Sequence, residues 1–150
     1  MKFALCNEVF QDFSIEEGFS KIAEIGYKGV EIAPFTLKED PLEINEEDAI
    51  RCANAAKSAG LEIVGLHWLM AKTEVLHLTH SDQSMRLAAS NYLKKLTELT
   101  AQMGGDIMVL GSPHQRNLEH GTVYEDAFAR AVEIIREVCQ LAGKLGVTLA

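Results

Sequence analysis

Hydrophobic positions along the chain alternate between two rhythms. Segments with apolar residues every third or fourth position end at a glycine, and a short apolar run follows at once. The junction reads Ile25-Gly26-Tyr27-Lys28-Gly29-Val30-Glu31-Ile32, then Ala59-Gly60-Leu61-Glu62-Ile63-Val64-Gly65-Leu66-His67. It recurs as Met103-Gly104-Gly105-Asp106-Ile107-Met108-Val109-Leu110 and as Leu145-Gly146-Val147-Thr148-Leu149-Ala150. The glycines at 26, 60, 104 and 146 are 34, 44 and 42 residues apart. A helix that stops at a left-handed glycine and leads straight into a buried strand is the second half of a βα unit. Repetition at this period predicts parallel strands joined by helical crossovers.

The helices carry their own signals. Ser14-Ile15-Glu16-Glu17 is a capping box, and Ile15, Phe19, Ile22 and Ile25 follow on one face. Asn45 can cap a second helix to about Ser58, with Glu46, Glu47 and Asp48 suited to its dipole. A third is predicted from about Asp82 to Met103, with Met85, Ala88, Tyr92, Leu96, Leu99 and Met103 as its buried stripe. Thr122-Val123-Tyr124-Glu125 reads as a capping box for the fourth. Its predicted stripe is Tyr124, Phe128, Ala131, Ile135, Val138, Ala142 and Leu145.

Strands are predicted near residues 2–7, 29–33, 62–67 and 106–111, with a fifth starting at Val147. Such alternation fits a doubly wound open sheet or a (β/α)8 barrel. No G-x-G-x-x-G follows a strand, which removes the best support for a dinucleotide fold. Counting by twos, one face takes Phe3, Leu5, Val30, Ile32, Val64, Leu66, Ile107 and Val109. The other takes Ala4, Cys6, Gly29, Glu31, Gly65, His67, Met108 and Leu110. A sheet covered on both sides should be apolar on both faces, and this one turns polar at the strand ends. The prediction is therefore α/β of the (β/α)8 TIM-barrel type: one domain, residues 1–150, holding the first four βα units and the start of strand 5.

Composition narrows the function classes. The 150 residues are 47% hydrophobic and 24% charged, enough for a real core. A net charge of −8 disfavours a phosphate backbone, so no nucleic acid partner is expected. No apolar run approaches the roughly 18 residues of a membrane span, so no membrane partner is expected either. The start, Met1-Lys2-Phe3-Ala4-Leu5-Cys6-Asn7-Glu8, turns acidic too early for a signal peptide. Cys6, Cys52 and Cys139 are odd in number and form no CxxC, which suits unpaired thiols in the cytoplasm.

In a barrel, functional groups sit at the C-terminal strand ends and in the loops that follow. The candidates are Asn7 and Glu8 after strand 1, Glu31 in strand 2, His67 and Trp68 after strand 3, and Ser112, His114, Gln115 and Arg116 after strand 4. Glu31 is a substrate contact or one half of a structural pair. His67-Trp68 joins a polar handle to an aromatic platform, suited to a sugar; the alternative is a satisfied core histidine. Gln115 and Arg116 could clamp a carboxylate or phosphate, or be solvated loop residues. His77-x-x-His80 lacks a third zinc ligand at fixed spacing. Cys6 reads as barrel filling. Glu31 and His67 are expected to point into one concave end, in a pocket shared with Trp68.

Gly29-Val30-Glu31-Ile32, Gly65-Leu66-His67-Trp68-Leu69 and Val109-Leu110-Gly111-Ser112-Pro113 resemble the xylose-isomerase-like TIM barrels. These are sugar isomerases and epimerases that also include metal-dependent apurinic endonucleases. The similarity runs in order along the whole chain but covers only the first half of such a barrel. It implies a divalent metal (Mn, Mg, Co or Zn) in the full-length protein, held at the barrel mouth, and proton transfer through an enediolate on a sugar or sugar-like hydroxy-carbonyl substrate. The implied metal ligands lie on strands 5 to 8, so no metal ligand and no catalytic residue is assigned within this chain. By analogy this half supplies the substrate wall: Glu31, His67, Trp68, Gln115 and Arg116.

The endonuclease branch, a phosphodiesterase, is the alternative, with His67 matching a first histidine ligand. Gly111 stands where the second would align, with His114 three residues later. A non-catalytic half-barrel used for binding or assembly is the other alternative. The expected partners are a small-molecule sugar and either the remaining half of the barrel or a second copy. A (β/α)8 barrel takes about 250 residues, so the chain is expected to be incomplete and inactive alone.

Overall fold

The computed structural model describes residues 1–150. Five strands, β1 (Ala4–Cys6), β2 (Gly29–Ile32), β3 (Glu62–His67), β4 (Ile107–Val109) and β5 (Thr148–Leu149), form one parallel sheet in the order 1-2-3-4-5. Four helices connect them: α1 (Ile15–Ile25), α2 (Glu46–Ala59), α3 (Gln83–Gln102) and α4 (Tyr124–Leu145). Parallel strands that stay in sequence order, joined by right-handed crossovers, place every helix on the same face. A doubly wound sheet needs a reversal of strand order, and there is none. The chain thus has the architecture of the first four βα units and the fifth strand of a (β/α)8 barrel, with β1 and β5 at its edges.

Local chemistry sets the helix ends. Ser14 and Glu17 form the capping box of α1, Asn45 and Asp48 that of α2, and Asp82 caps α3 through the Ser84 N–H. Helices α1, α2 and α4 stop at left-handed Gly26, Gly60 and Gly146. The capping box expected at Thr122 does not form. Val123 takes the cap position of α4 with no side-chain bond, because the helix starts one residue later than that motif requires. No helix is long and apolar enough to cross a membrane.

The core lies between the sheet and the helices. Val30, Ile32, Leu66 and Met108 from the sheet meet Phe19 and Ile22 of α1, Cys52 of α2, Leu93 and Leu96 of α3, and Val138 of α4, all of them fully buried. Burial of this kind contributes about 25 cal/mol per Å² of apolar surface. Some predicted stripes end early: Ile25, Tyr124, Phe128 and Leu145 are exposed. Ile25 and Leu145 are the last residues of their helices, and Tyr124 and Phe128 lie in the first turns of α4.

Two strand assignments are corrected by the register. Met108 pairs with Leu66 and is fully buried, so it faces the helices, while Ile107 and Val109 pair with Gly65 and His67 on the opposite face. Val64 also leaves the helix-facing row. Val30 pairs with Ile63 but Glu31 pairs with Gly65, so Val64 is the extra residue of a β-bulge. Its methyl stands 3.0 Å from the place where a Cβ on Gly29 would sit.

Gly65 is the tightest point of the sheet. A Cβ there would lie 1.7 Å from the Ile107 carbonyl oxygen, and one on Gly105 would lie 2.9 Å from the Gly65 Cα. Gly65→Ala is predicted to destabilise the chain by at least about 3 kcal/mol, because backbone rather than a movable side chain must yield. Gly143, exposed in α4 with open space around it, is the control. Gly143→Ala should stabilise by about 0.5–1 kcal/mol through helix propensity. Urea denaturation of the two variants checks both signs.

Candidate functional site

The concave face of the sheet, away from the helices, gathers the polar residues of the strand ends. Glu31 sits between Cys6 on β1 and Gly65 on β3 in the ladder, and His67 follows Gly65 by two residues. The register therefore sets Glu31 and His67 on this one face. Both are half-buried. The Glu31 carboxylate forms no hydrogen bond or ion pair within the chain, and His67 Nδ1 is buried with no partner. Most buried polar atoms have partners, so one without marks a place to look for a ligand.

Aromatic residues flank this pair. Trp68 follows β3 and is 42% exposed. Its indole lies 6.1 Å from the His67 ring at an interplanar angle of 14°, and 6.2 Å from the ring of Phe35. Phe35, which sequence reasoning did not single out, lies in the short turn after β2. The rule that selected Trp68, position just past a strand's C-terminal end, would have found it. Its turn is pinned by Asn7, whose amide donates to Thr36 Oγ1 at 2.7 Å and accepts from the Ala33 N–H at 2.9 Å. Asn7 is thus a brace between the ends of β1 and β2.

Trp68 adopts a left-handed backbone, φ 56°, unusual outside glycine. Gly111, φ 44°, faces it: a Cβ there would stand 2.8 Å from the indole Cδ1. A side chain at 111 would therefore strain the left-handed backbone and displace the indole from its place.

The two long loops at this end brace each other. Gln115 donates its amide to the Thr73 carbonyl at 2.9 Å and accepts the Leu78 N–H on its own carbonyl at 2.8 Å. The Arg116 guanidinium is exposed and makes no hydrogen bond or ion pair. The structure brings Glu31, His67 and Trp68 to one area and gives Gln115 a bracing contact beside it. His77 Nδ1 accepts the Thr79 N–H at 3.2 Å, so Nε2 carries the proton to Asn117 Oδ1 at 2.7 Å. His80 Nδ1 accepts the Asp82 N–H at 2.9 Å, and Nε2 meets Glu119 Oε1 at 2.9 Å. Neither histidine keeps a lone pair free for a metal. His114 is exposed in the turn after β4 and Gly111 lies against Trp68, so no second histidine joins His67.

The best-defined cavities are not lined by Glu31, His67 or Trp68. One, lined by Pro34, Leu66, Leu96 and Met103, is part of the core. Around Glu31 and His67 the structure presents a wall rather than a closed pocket. No three His, Cys, Asp or Glu side chains converge closely enough to hold a metal ion, so the residues of this chain do not fit one.

Burial pushes the Cys6 thiol up to about 11, and the charges of Glu8 and Glu31 add to the effect. Burial likewise pushes Cys52 up to about 12, with Asp48 adding to it. Cys6 is therefore a protonated thiol at neutral pH and a poor nucleophile.

A model of the family described as xylose isomerase-like TIM barrel matches residues 19–150. No curated protein matches in sequence. Among solved structures, the D-psicose 3-epimerase of Clostridium cellulolyticum H10 in complex with D-tagatose superposes with a TM-score of 0.75 at 18% identity, over 99% of this chain and 51% of that one. A 3-keto-D-glucoside 4-epimerase from E. coli gives 0.74 at 19% identity, over 99% and 54%. A D-allulose 3-epimerase from Methylomonas sp. gives 0.73 at 19%, over 99% and 50%. At such identity the likeness shows a shared fold, and the chain spans about half the length of these proteins.

Alkylation tests the thiol chemistry. With iodoacetamide at pH 8, exposed Cys139 should be modified first, and Cys6 and Cys52 at least about tenfold more slowly, as read by peptide mass spectrometry. The raised thiols also set a sign. Their contribution to stability is present below the unfolded value and is lost as pH climbs from about 9 toward about 11 and 12. Thermal denaturation should therefore shift to lower temperature above pH 9. A Tm flat to pH 11 would contradict it.

Proposed function

The chain belongs to the xylose isomerase-like TIM barrel family, and from that premise we propose that it is the substrate-binding half of a sugar isomerase or epimerase. The substrate is a sugar or sugar-like hydroxy-carbonyl compound, and the reaction moves a proton through an enediolate. One observation carries the reading: His67, with no hydrogen-bond partner on either ring nitrogen, stands at the C-terminal mouth of a parallel half-barrel, beside an exposed indole.

Each residue has a role in it. Trp68 and Phe35 offer flat apolar surface to the C–H face of a sugar. His67 exchanges a hydrogen bond with a substrate hydroxyl through Nε2, the ring nitrogen that is neither buried nor paired, and Glu31, with no partner inside the chain, accepts another. Three structurally similar enzymes that epimerise sugars or keto-sugars share the fold, which supports the substrate class. We place the divalent metal of a complete barrel, and the carboxylates that hold it, outside these residues, because none of their donors converge on one. The rest of a barrel, or a second copy, covers the concave face, where Val64, Ile107 and Val109 remain half-exposed. The chain alone then binds but does not turn over.

Trp68 is the only tryptophan, so its fluorescence reports binding directly. Titration with D-fructose or D-tagatose should change the emission saturably. His67→Ala should raise Kd about tenfold, the effect of losing about 1.4 kcal/mol from one hydrogen bond, with little change in Tm. The chain alone should give no epimerisation by NMR with or without Mn2+ or Mg2+. No saturable emission change would remove the substrate wall, and turnover by the chain alone would remove the half-barrel role.

A further inference from the structure

Ser112 follows β4 at the mouth, yet it cannot meet a ligand itself. It is 2% exposed, and its hydroxyl is used in both directions. Oγ donates to the Leu110 carbonyl at 2.8 Å and accepts the Met70 N–H at 3.0 Å. The second bond crosses from the end of β4 to the turn after β3, which begins at Trp68. That turn contains two left-handed residues that are not glycine, Trp68 at φ 56° and Lys72 at φ 60°. Such backbone persists only where the surroundings over-determine it. Leu69 and Met70, between the two, are fully buried. Within the turn, the Ala71 N–H donates to the Trp68 carbonyl at 3.0 Å and the Thr73 hydroxyl to the Met70 carbonyl at 2.6 Å. From outside, the Val109 carbonyl accepts the Trp68 N–H at 3.1 Å, a main-chain bond that does not depend on the side chain at 109. Ser112 supplies the one side-chain hydrogen bond that another loop makes to residues 68–72.

We infer that Ser112 is a positioning residue for the binding wall: by holding the Met70 N–H it fixes the left-handed turn, and so aims the Trp68 indole along His67 and Phe35. Serine suits the place because one small hydroxyl both donates and accepts. Without it the Met70 N–H is left buried and unpaired, and the turn must move to find it a partner. The backbone of Trp68 then loses the restraint on its C-terminal side. The indole, held 6.1 Å from the His67 ring and 6.2 Å from Phe35, loses its orientation with it. A wall that must be ordered on binding binds more weakly than one ordered beforehand. The effect on affinity rests on the proposed sugar-binding role of this mouth, whereas the hold of Ser112 on Trp68 does not.

The experiment uses the whole chain and its single tryptophan. The parent is compared with Ser112→Ala, with Ser112→Thr, which keeps the hydroxyl, and with Ile22→Val. Ile22 is fully buried in α1, so its truncation lowers Tm through packing alone and serves as the control. In the free chain, Ser112→Ala should raise acrylamide quenching of Trp68 about twofold and speed exchange of the Met70 amide, read by NMR, about tenfold. Ser112→Thr should recover most of both, and Ile22→Val should change neither, whatever its Tm. D-tagatose titration should then give a Kd about tenfold higher for Ser112→Ala and unchanged for Ile22→Val. Parent-like quenching in Ser112→Ala, a change that Ser112→Thr does not reverse, or an equal change in Ile22→Val would overturn the positioning role. Altered quenching with an unaltered Kd would overturn its part in binding. If the parent itself gives no saturable response to D-tagatose, the sugar-binding role falls, and the hold on Trp68 is judged by quenching and exchange in the free chain.

Discussion

Strand order is the constraint from which the rest follows. Because β1 to β5 are parallel and lie in sequence order, each crossover returns to the same side, and the buried residues of all four helices pack on one face of the sheet. The other face is released from that duty. It can hold Ala4, Cys6, Gly29 and Gly65 where room is needed, and Glu31 and His67 where polarity is needed, because no helix stripe demands an apolar partner there. A sheet wound on both sides could not afford a free carboxylate in a central strand.

This division explains what the sequence makes legible. Capping residues and left-handed glycines act within a few positions of themselves, so Ser14, Asn45, Asp82, Gly26, Gly60 and Gly146 can be read without knowing the fold. Strand faces cannot always be read so. Counting by twos assumes an unbroken ladder, and the bulge at Val64 is created by pairing with β2, which the β3 sequence does not announce. In β4, Met108 and its neighbours Ile107 and Val109 are equally apolar, so only pairing with Leu66 decides which one faces the helices. A helical stripe likewise reveals periodicity and not cover: Tyr124 and Phe128 continue the stripe of α4 and remain exposed.

For the site, strand-end position brought out Glu31, His67 and Trp68, and the same rule applied after β2 reaches Phe35. What residue type alone could not separate is bracing from availability. Asn7, Gln115, His77 and His80 look as ligand-like in sequence as His67 does. In the structure their polar atoms are spent on backbone groups and side chains of neighbouring turns. They hold the mouth in shape, as supporting residues must if the groups facing a ligand are to be fixed. The His67 ring and the half-buried Glu31 carboxylate are left over from that accounting, with no partner inside the chain. The distinction is physical: a satisfied polar group already has its bond within the fold, while an unpaired one is free to exchange water for a ligand.

Fold and site are further joined at a single place. Gly65 lets β3 and β4 approach until its Cα side lies against the Ile107 carbonyl, with no room for a methyl group. That approach carries His67 opposite Val109, and the next residue, Trp68, donates its N–H to the Val109 carbonyl at 3.1 Å. The hydrogen bond fixes the start of the left-handed turn, and the indole then fills the space that Gly111 leaves open. A side chain at 65 would push β4 away from β3 three residues before the turn begins. The bond to Val109 would lengthen, and the restraint on Trp68 would go with it. Two glycines on adjacent strand units, one inside the sheet and one at its mouth, therefore act on the same aromatic side chain from opposite ends, and the position of the candidate binding wall is inseparable from the packing of the sheet that carries it.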